Sequence, residues 1–115
     1  MAEEIFDSAV RSAGDRAGVF EYDGETGYFY LYECDAAMGR KVVDSLQVLT
    51  SEPDFTQEEV EVRWDLEEKK VGLFIREVLW AVFNVHHGTK CGGRYASKLA
   101  PTIPREEEIG FTRIS

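Results

Sequence analysis

The run from Val60 to Val85 constrains the fold more than any other part of the chain. Val60, Val62 and Trp64 alternate with Glu61, Arg63 and Asp65, so three apolar side chains share one face of a strand. Val71, Leu73 and Ile75 follow a charged turn, and Leu79, Ala81, Phe83 and Val85 follow a second one. Three consecutive strands with short connections read as an antiparallel meander. A four-residue loop, Leu66 to Lys69, pairs Trp64 with Val71, Val62 with Leu73 and Val60 with Ile75. A three-residue loop, Arg76 to Val78, pairs Ile75 with Leu79, Leu73 with Ala81 and Val71 with Phe83. Both registers keep one apolar face continuous, and a slip of one residue would send it to the opposite side. The reverse face is charged on the first of these strands. On the next two it sets Phe74 against Trp80 and Gly72 against Val82. Something must cover Phe74, Trp80 and Val82: the N-terminal segment, the C-terminal tail or a second subunit.

The remaining elements follow from turn chemistry and period. Val19 to Tyr22 and Tyr28 to Glu33 flank Asp23-Gly24-Glu25-Thr26-Gly27, a hairpin signal because glycine accepts positive φ without cost. Tyr28, Tyr30 and Tyr32 share one face of the second strand and Phe29 and Leu31 the other, as in a strand inside a sheet. Tyrosines suit a partly wet face, where the ring packs and the hydroxyl reaches solvent. Lys41 to Thr50 reads as a third strand with Val42, Leu46 and Val48 on one side. Residues 3–13 read either as a short helix or as an edge strand. Thr56 to Glu59 matches a capping box and predicts one helical turn before Val60. His86 to Lys98 reads as a glycine-rich basic loop. Pro104 to Gly110 reads as one or two helical turns, with proline at the start and acids in the first turn. The predicted fold is mainly β, with α+β as the alternative. It is a single antiparallel meander sheet of about six strands, curved or barrel-like, with short helices at its ends, in one domain over residues 1–115.

Charge narrows the partners. The 115 residues carry a net charge of −9, which disfavours nonspecific nucleic-acid binding, because a phosphate backbone is held by Lys and Arg. The charge is uneven: residues 1–35 carry nine acids against two bases, and residues 86–115 five bases against three acids. Two cysteines, Cys34 and Cys91, are too few for a disulfide framework. The acidic opening MAEEIFDSAV does not read as a signal peptide, and no apolar run approaches the ~20 residues of a spanning helix. The expectation is a cytoplasmic protein with neither nucleic acid nor membrane as partner.

The residues able to carry chemistry cluster in one loop. His86, His87 and Cys91 are of zinc-ligand type, but adjacent histidines on a strand end point to opposite sides, and a further ligand would have to come from Cys34 or an acid. Gly88-Thr89-Lys90-Cys91-Gly92-Gly93-Arg94 has the composition of an anion-binding loop without the spacing of a phosphate loop, and it opens no helix. Lys90, Arg94 and Lys98 remain anion candidates. Cys91 beside Lys90 and near the two histidines is a candidate low-pKa thiol, weighed against a structural cysteine. Asp23, Glu25 and Asp35 lack the ligand order of a calcium-binding loop. The ligand candidates are therefore His86, His87, Lys90, Cys91 and Arg94. No catalytic constellation, metal site or cofactor is predicted.

Two segments resemble a family of small bacterial proteins of unknown function. Val19 to Glu33, VFEYDGETGYFYLYE, resembles that family's Phe-Glu-x-Asp-Gly-x-Thr-Gly-Tyr-Phe-Tyr hairpin. Val62 to Val85 resembles the Trp-containing hairpin and Ala-Val-Phe strand that follow it. The resemblance covers about half of the chain and implies a bacterial source; it carries over no functional residue. Trp64 to Phe74 also resembles the outer hairpin of a propeller blade, but one unit makes no propeller.

The functional expectation is a non-enzymatic interaction protein, homodimeric through the Phe74, Trp80 and Val82 side or through an edge strand. One alternative is an acidic inhibitor or immunity-type protein masking a basic partner. The other is a small-ligand or hydrolytic domain using the loop from His86 to Tyr95.

Overall fold

The structure, a computed structural model, describes residues 3–35, 39–96 and 101–111. Its eight strands form two four-stranded antiparallel sheets. The first contains β1 (Ile5–Val10), β2 (Arg16–Tyr22), β3 (Gly27–Asp35) and β4 (Gly39–Leu49), and the second β5 (Val60–Trp64), β6 (Lys70–Ile75), β7 (Val78–Asn84) and β8 (Thr89–Gly92). Each is ordered as in the sequence. The single sheet of about six strands is therefore corrected to two sheets of four. Two short strands account for the difference. Residues 5–10 pair with β2 instead of coiling into a helix, and residues 89–92 pair with β7 inside the segment read as a loop. The crossover between the sheets ends in a 3-10 turn, Gln57–Glu59, where the Glu59 carboxylate accepts the Thr56 N–H at 3.0 Å. Among the described residues the one α-helix, α1, is a single turn, Arg105–Glu108.

Inner faces of the two sheets meet over one core. Phe20, Phe29 and Tyr22 from the first sheet pack against Val71, Leu73, Ile75 and Phe83 from the second. Gly18 sits at the closest approach, where an added Cβ would lie 2.5 Å from a Val71 methyl. The sheets do not close into a barrel, because isolated hydrogen bonds bridge the seams in place of a ladder. On one seam the Val62 N–H donates to Asp7 Oδ2 at 2.6 Å and Trp64 Nε1 donates to the Ala9 carbonyl at 2.9 Å. On the other, Lys90 Nζ donates to Asp44 Oδ1 at 2.7 Å and the Tyr95 N–H to the Val48 carbonyl at 2.8 Å.

The β5–β6 register is the expected one, with Trp64 opposite Val71 and Val60 opposite Ile75. The β6–β7 register matches it from Val71 to Leu73 and then departs: Phe74 faces Leu79 and Ile75 faces Val78. The loop has two residues, Arg76 and Glu77, both at positive φ (52° and 67°). This is the mirror-image turn that suits a twisted hairpin. The Arg76 N–H donates to the Glu59 carbonyl at 2.7 Å and its Nε to Glu59 Oε2 at 2.8 Å, which holds the turn in place. The shorter loop inverts the alternation, and a bulge between Leu73 and Phe74 on the partner strand restores it. Trp80 is the extra residue. It joins the main core, its ring 4.7 Å from that of Tyr95, instead of sharing the reverse face with Phe74.

The C-terminal segment covers that reverse face. Phe111 is buried with Phe74, Leu79 and Val82 in a second cluster, and Ile103 packs at its edge. The segment is anchored by polar groups as well. Buried Lys70 donates to the carbonyls of Glu106 at 3.1 Å and Ile109 at 2.6 Å, satisfying acceptors at the end of α1. Buried Asn84 donates to the Glu107 carboxylate, and Arg63 lies 3.8 Å over the Phe74 ring while donating to the Phe111 carbonyl at 3.1 Å.

Candidate functional site

The ligand candidates in the loop after β7 do not converge. His86 and His87 are exposed in a turn, not on a strand end, so their rings stand edge-on with centroids 4.9 Å apart instead of diverging. Among the described residues, no group of three or more His, Cys, Asp and Glu gathers as a metal site. Lys90 is engaged by Asp44 and the Ser45 carbonyl, and the salt bridge holds the Asp44 carboxyl below the usual range. Arg94 is exposed. Cys91 lies half-buried on β8 beside the second cluster; burial, then the charge of Glu107, pushes its thiol up, the opposite of an activated nucleophile. Asp23 Oδ1 accepts the N–H groups of Glu25 and Thr26, both at 2.9 Å, and so shapes the hairpin turn. Lys98 lies outside the described residues.

Phe74, Trp80 and Val82, the interaction candidates, are all buried. The C-terminal segment covers Phe74 and Val82, and the bulge turns Trp80 inward. Of the exposed large apolar side chains, Phe6, Val10 and Val42 lie on the outer face of the first sheet. There the register aligns Phe6 with Glu21, Ser8 with Val19 and Val10 with Ala17, then Val19 with Tyr30 and Ala17 with Tyr32, and finally Tyr32 with Val42. A register shift after Leu31 places Val42 on this outer side, away from Leu46 and Val48, which pack in the core.

The face carries Ser8, Glu21, Ser45 and Gln47 as well, but is richer in apolar and aromatic side chains than a solvated sheet face ordinarily is. Phe6, Val10 and Val42 are 51%, 54% and 44% exposed. Between them Val19 and Ala17 are buried beside a tyrosine row. Tyr28 and Tyr30 stack with centroids 5.7 Å apart, and Tyr30 and Tyr32 lie 6.0 Å apart. Burial, then the charge of Glu21, pushes the Tyr30 phenol up. Glu21 is the single acid on these aligned positions. The tyrosine row is legible as one face in the sequence. Phe6 and Val10 are not, because residues 3–13 read equally as a helix.

The acidic residues collect elsewhere, around a groove of about 770 Å³ between β1 and β5 bordered by Asp7, Glu58, Glu59, Glu61 and Glu77. Asp7 accepts the Val62 N–H, Glu59 binds Arg76, and Glu61 pairs with Arg63 at 2.7 Å. Of these contacts the Asp7 bond to Val62 crosses between the sheets, and the other two tie residues on the second sheet's side.

A family model described as an uncharacterized protein conserved in bacteria (DUF2251) matches residues 1–103. The chain belongs to that family. No curated protein and no solved structure matches it.

Proposed function

We propose that this member of the family is a non-enzymatic interaction protein that pairs with a second copy of itself through the outer face of its first sheet. The supporting observation is the row of tyrosines flanked by exposed Phe6, Val10 and Val42, with one acid among the aligned positions of a chain that carries −9 overall. A nearly uncharged patch on an acidic chain suits an identical patch better than it suits a charged partner, and two-fold self-pairing is the commonest symmetry. Four strands at ~4.8 Å spacing span about 14 Å, and five residues along each strand span roughly 13 Å before side chains are added. Two such faces bury roughly 800–1,000 Å² in total, the small end of specific interfaces, so the pairing is reversible and depends on concentration. The unpaired thiols of Cys34 and Cys91 support a reducing, cytoplasmic setting.

Sedimentation velocity from low micromolar to millimolar protein tests this. The expected result is a monomer–dimer equilibrium that strengthens as salt rises, because salt screens the repulsion between two acidic chains. Tyr30→Glu should leave a monomer, since it buries an uncompensated carboxylate at the centre of the contact. Leu66→Ser, an exposed apolar position off this face, should leave the equilibrium unchanged. A wild type that stays monomeric throughout, or a dimer indifferent to Tyr30→Glu, would remove the proposal.

A further inference from the structure

We propose that His86 and His87 form a two-imidazole clamp for one late divalent transition-metal ion, Ni²⁺ or Cu²⁺, whose other positions are left to water. Adjacent side chains on a strand point to opposite faces. Here a turn presents them instead, and hydrogen bonds to its backbone hold it. The His87 N–H donates to the side-chain oxygen of buried Asn84 at 2.9 Å. The Gly88 N–H donates to the Asn84 carbonyl at 2.8 Å, and the His86 N–H to the Lys69 carbonyl at 3.4 Å.

The two rings stand with centroids 4.9 Å apart and planes at 63°. An imidazole nitrogen binds such an ion at about 2.1 Å, and roughly 1.2 Å more reaches the ring centre, so each centroid lies about 3.3 Å from a shared ion. Ligands at about 90–110° then set the two centroids roughly 4.7–5.4 Å apart. The observed 4.9 Å falls inside that span. Both rings are exposed, and neither makes a hydrogen bond or ion pair with the described residues. A neutral imidazole in that position keeps one nitrogen lone pair for a metal.

The surroundings favour a cation, and the donor set selects which. Both rings line a hollow of about 500 Å³ whose wall holds four carboxylates, from Asp65, Glu67, Glu106 and Glu107, against the ammoniums of Lys69 and Lys70. Lys69 faces Glu67 at 3.2 Å, and Lys70 is turned to the carbonyls of Glu106 and Ile109. Ca²⁺ and Mg²⁺ take oxygen ligands. Zn²⁺ takes three or four protein ligands, and no such group gathers among the described residues. Imidazole suits Ni²⁺ and Cu²⁺, which stand high in the affinity order and accept two neighbouring nitrogens with water in the remaining places.

Ni²⁺ alone, titrated into the reduced, untagged protein near neutral pH, tests the clamp by calorimetry and by NMR line broadening. The expected result is one saturable ion per chain, with broadening centred on residues 85–88 and no displacement by Ca²⁺. His86→Asn and His87→Asn, both at exposed positions, should keep the melting temperature and each weaken binding at least fivefold, because either loss leaves a single ligand. The turn belongs to the second sheet, so the outcome is independent of self-pairing through the first. No saturation by Ni²⁺ at millimolar concentration, broadening centred on Cys34 or Cys91, displacement by Ca²⁺, or a single-histidine variant that loses less than fivefold would overturn the site.

Discussion

Gly72 sits in the middle of β6, where glycine is an unfavourable choice, and Phe111 supplies its reason. An added Cβ at Gly72 would lie 3.1 Å from Phe111 Cζ and 3.2 Å from Cε1, with Leu79 Cδ1 at 2.7 Å. The Leu79 contact is the end of a flexible side chain; the ring is held by Phe74, Val82 and the anchors of the C-terminal segment. Gly72→Ala therefore combines an overpacking cost of about 1–2 kcal/mol with a gain of roughly 0.5–1 kcal/mol from removing a strand-interior glycine. The net is a loss of about 0.5–1 kcal/mol. Phe111→Ala removes a buried ring at the margin of the core, for about 2–3 kcal/mol, at or below the low end for buried aromatics because the segment can partly collapse. In the Phe111→Ala background the obstacle to a methyl at position 72 is gone, and Leu79 can turn into the vacated space. There Gly72→Ala should stabilise by about 0.5–1 kcal/mol, a reversal of sign. Urea unfolding of the four proteins gives the coupling, expected at about 1–2 kcal/mol. Additive single effects within about 0.5 kcal/mol would refute the claim that Gly72 is the seat of Phe111.

Three further outcomes are expected. Glu77→Gly relieves a left-handed residue in the β6–β7 turn and should raise stability by about 0.5–1 kcal/mol after the unfolded-state cost of glycine, read as a shift in urea midpoint at constant m-value. Tyr95 is raised to about 12 by burial and by its bond to Asp54, so its neutral form is favoured in the folded state. The stabilisation is present below its ordinary value near 10 and lost as pH rises toward about 12; the difference in melting temperature between wild type and Tyr95→Phe should shrink across that window, and a constant difference would contradict it. Phe6 is about half exposed, so burying the rest is worth about 1 kcal/mol per copy. Phe6→Ser should accordingly weaken the dimer roughly 30-fold without lowering the monomer's melting temperature by more than a few degrees.

The parts legible in the sequence are those where local period and burial agree. The β5–β6 register follows from Val60, Val62 and Trp64, because a shifted pairing would bury Glu61 and Arg63. The β6–β7 register is half legible. Arg76 and Glu77 lack the glycine or asparagine that usually marks a mirror-image turn, and their conformation is imposed by the distant Glu59. A three-residue loop and a two-residue loop with a bulge leave Val71, Gly72 and Leu73 in the same register and differ in where Leu79 and Trp80 go: Leu79, expected on the core face opposite Ile75, joins Phe74 on the reverse face, and Trp80 enters the core. The Phe74 and Val82 side is readable as needing a cover, and the C-terminal tail is one of the covers the sequence suggests. The sheet count is not legible. β1 and β8 are short, and their seams are stitched by Asp7, Trp64 and Lys90, whose partners lie about fifty residues away.

The two outer faces of the molecule pose the same problem and receive different treatments. On the second sheet the apolar face is notched by Gly72, under Phe111. The C-terminal segment fills that notch, and buried Lys70 and Asn84 fix the turn before Phe111. On the first sheet the tyrosine row has no such notch, no buried polar anchor and no covering segment among the described residues. A face meant for an intramolecular cover needs recesses and polar anchors, because a short strap gains little from a flat surface. A flat row of half-buried rings suits a partner that is itself flat and large, which is what a second copy of the same sheet supplies. The contrast makes self-pairing through Tyr30 a more specific expectation than exposure alone would.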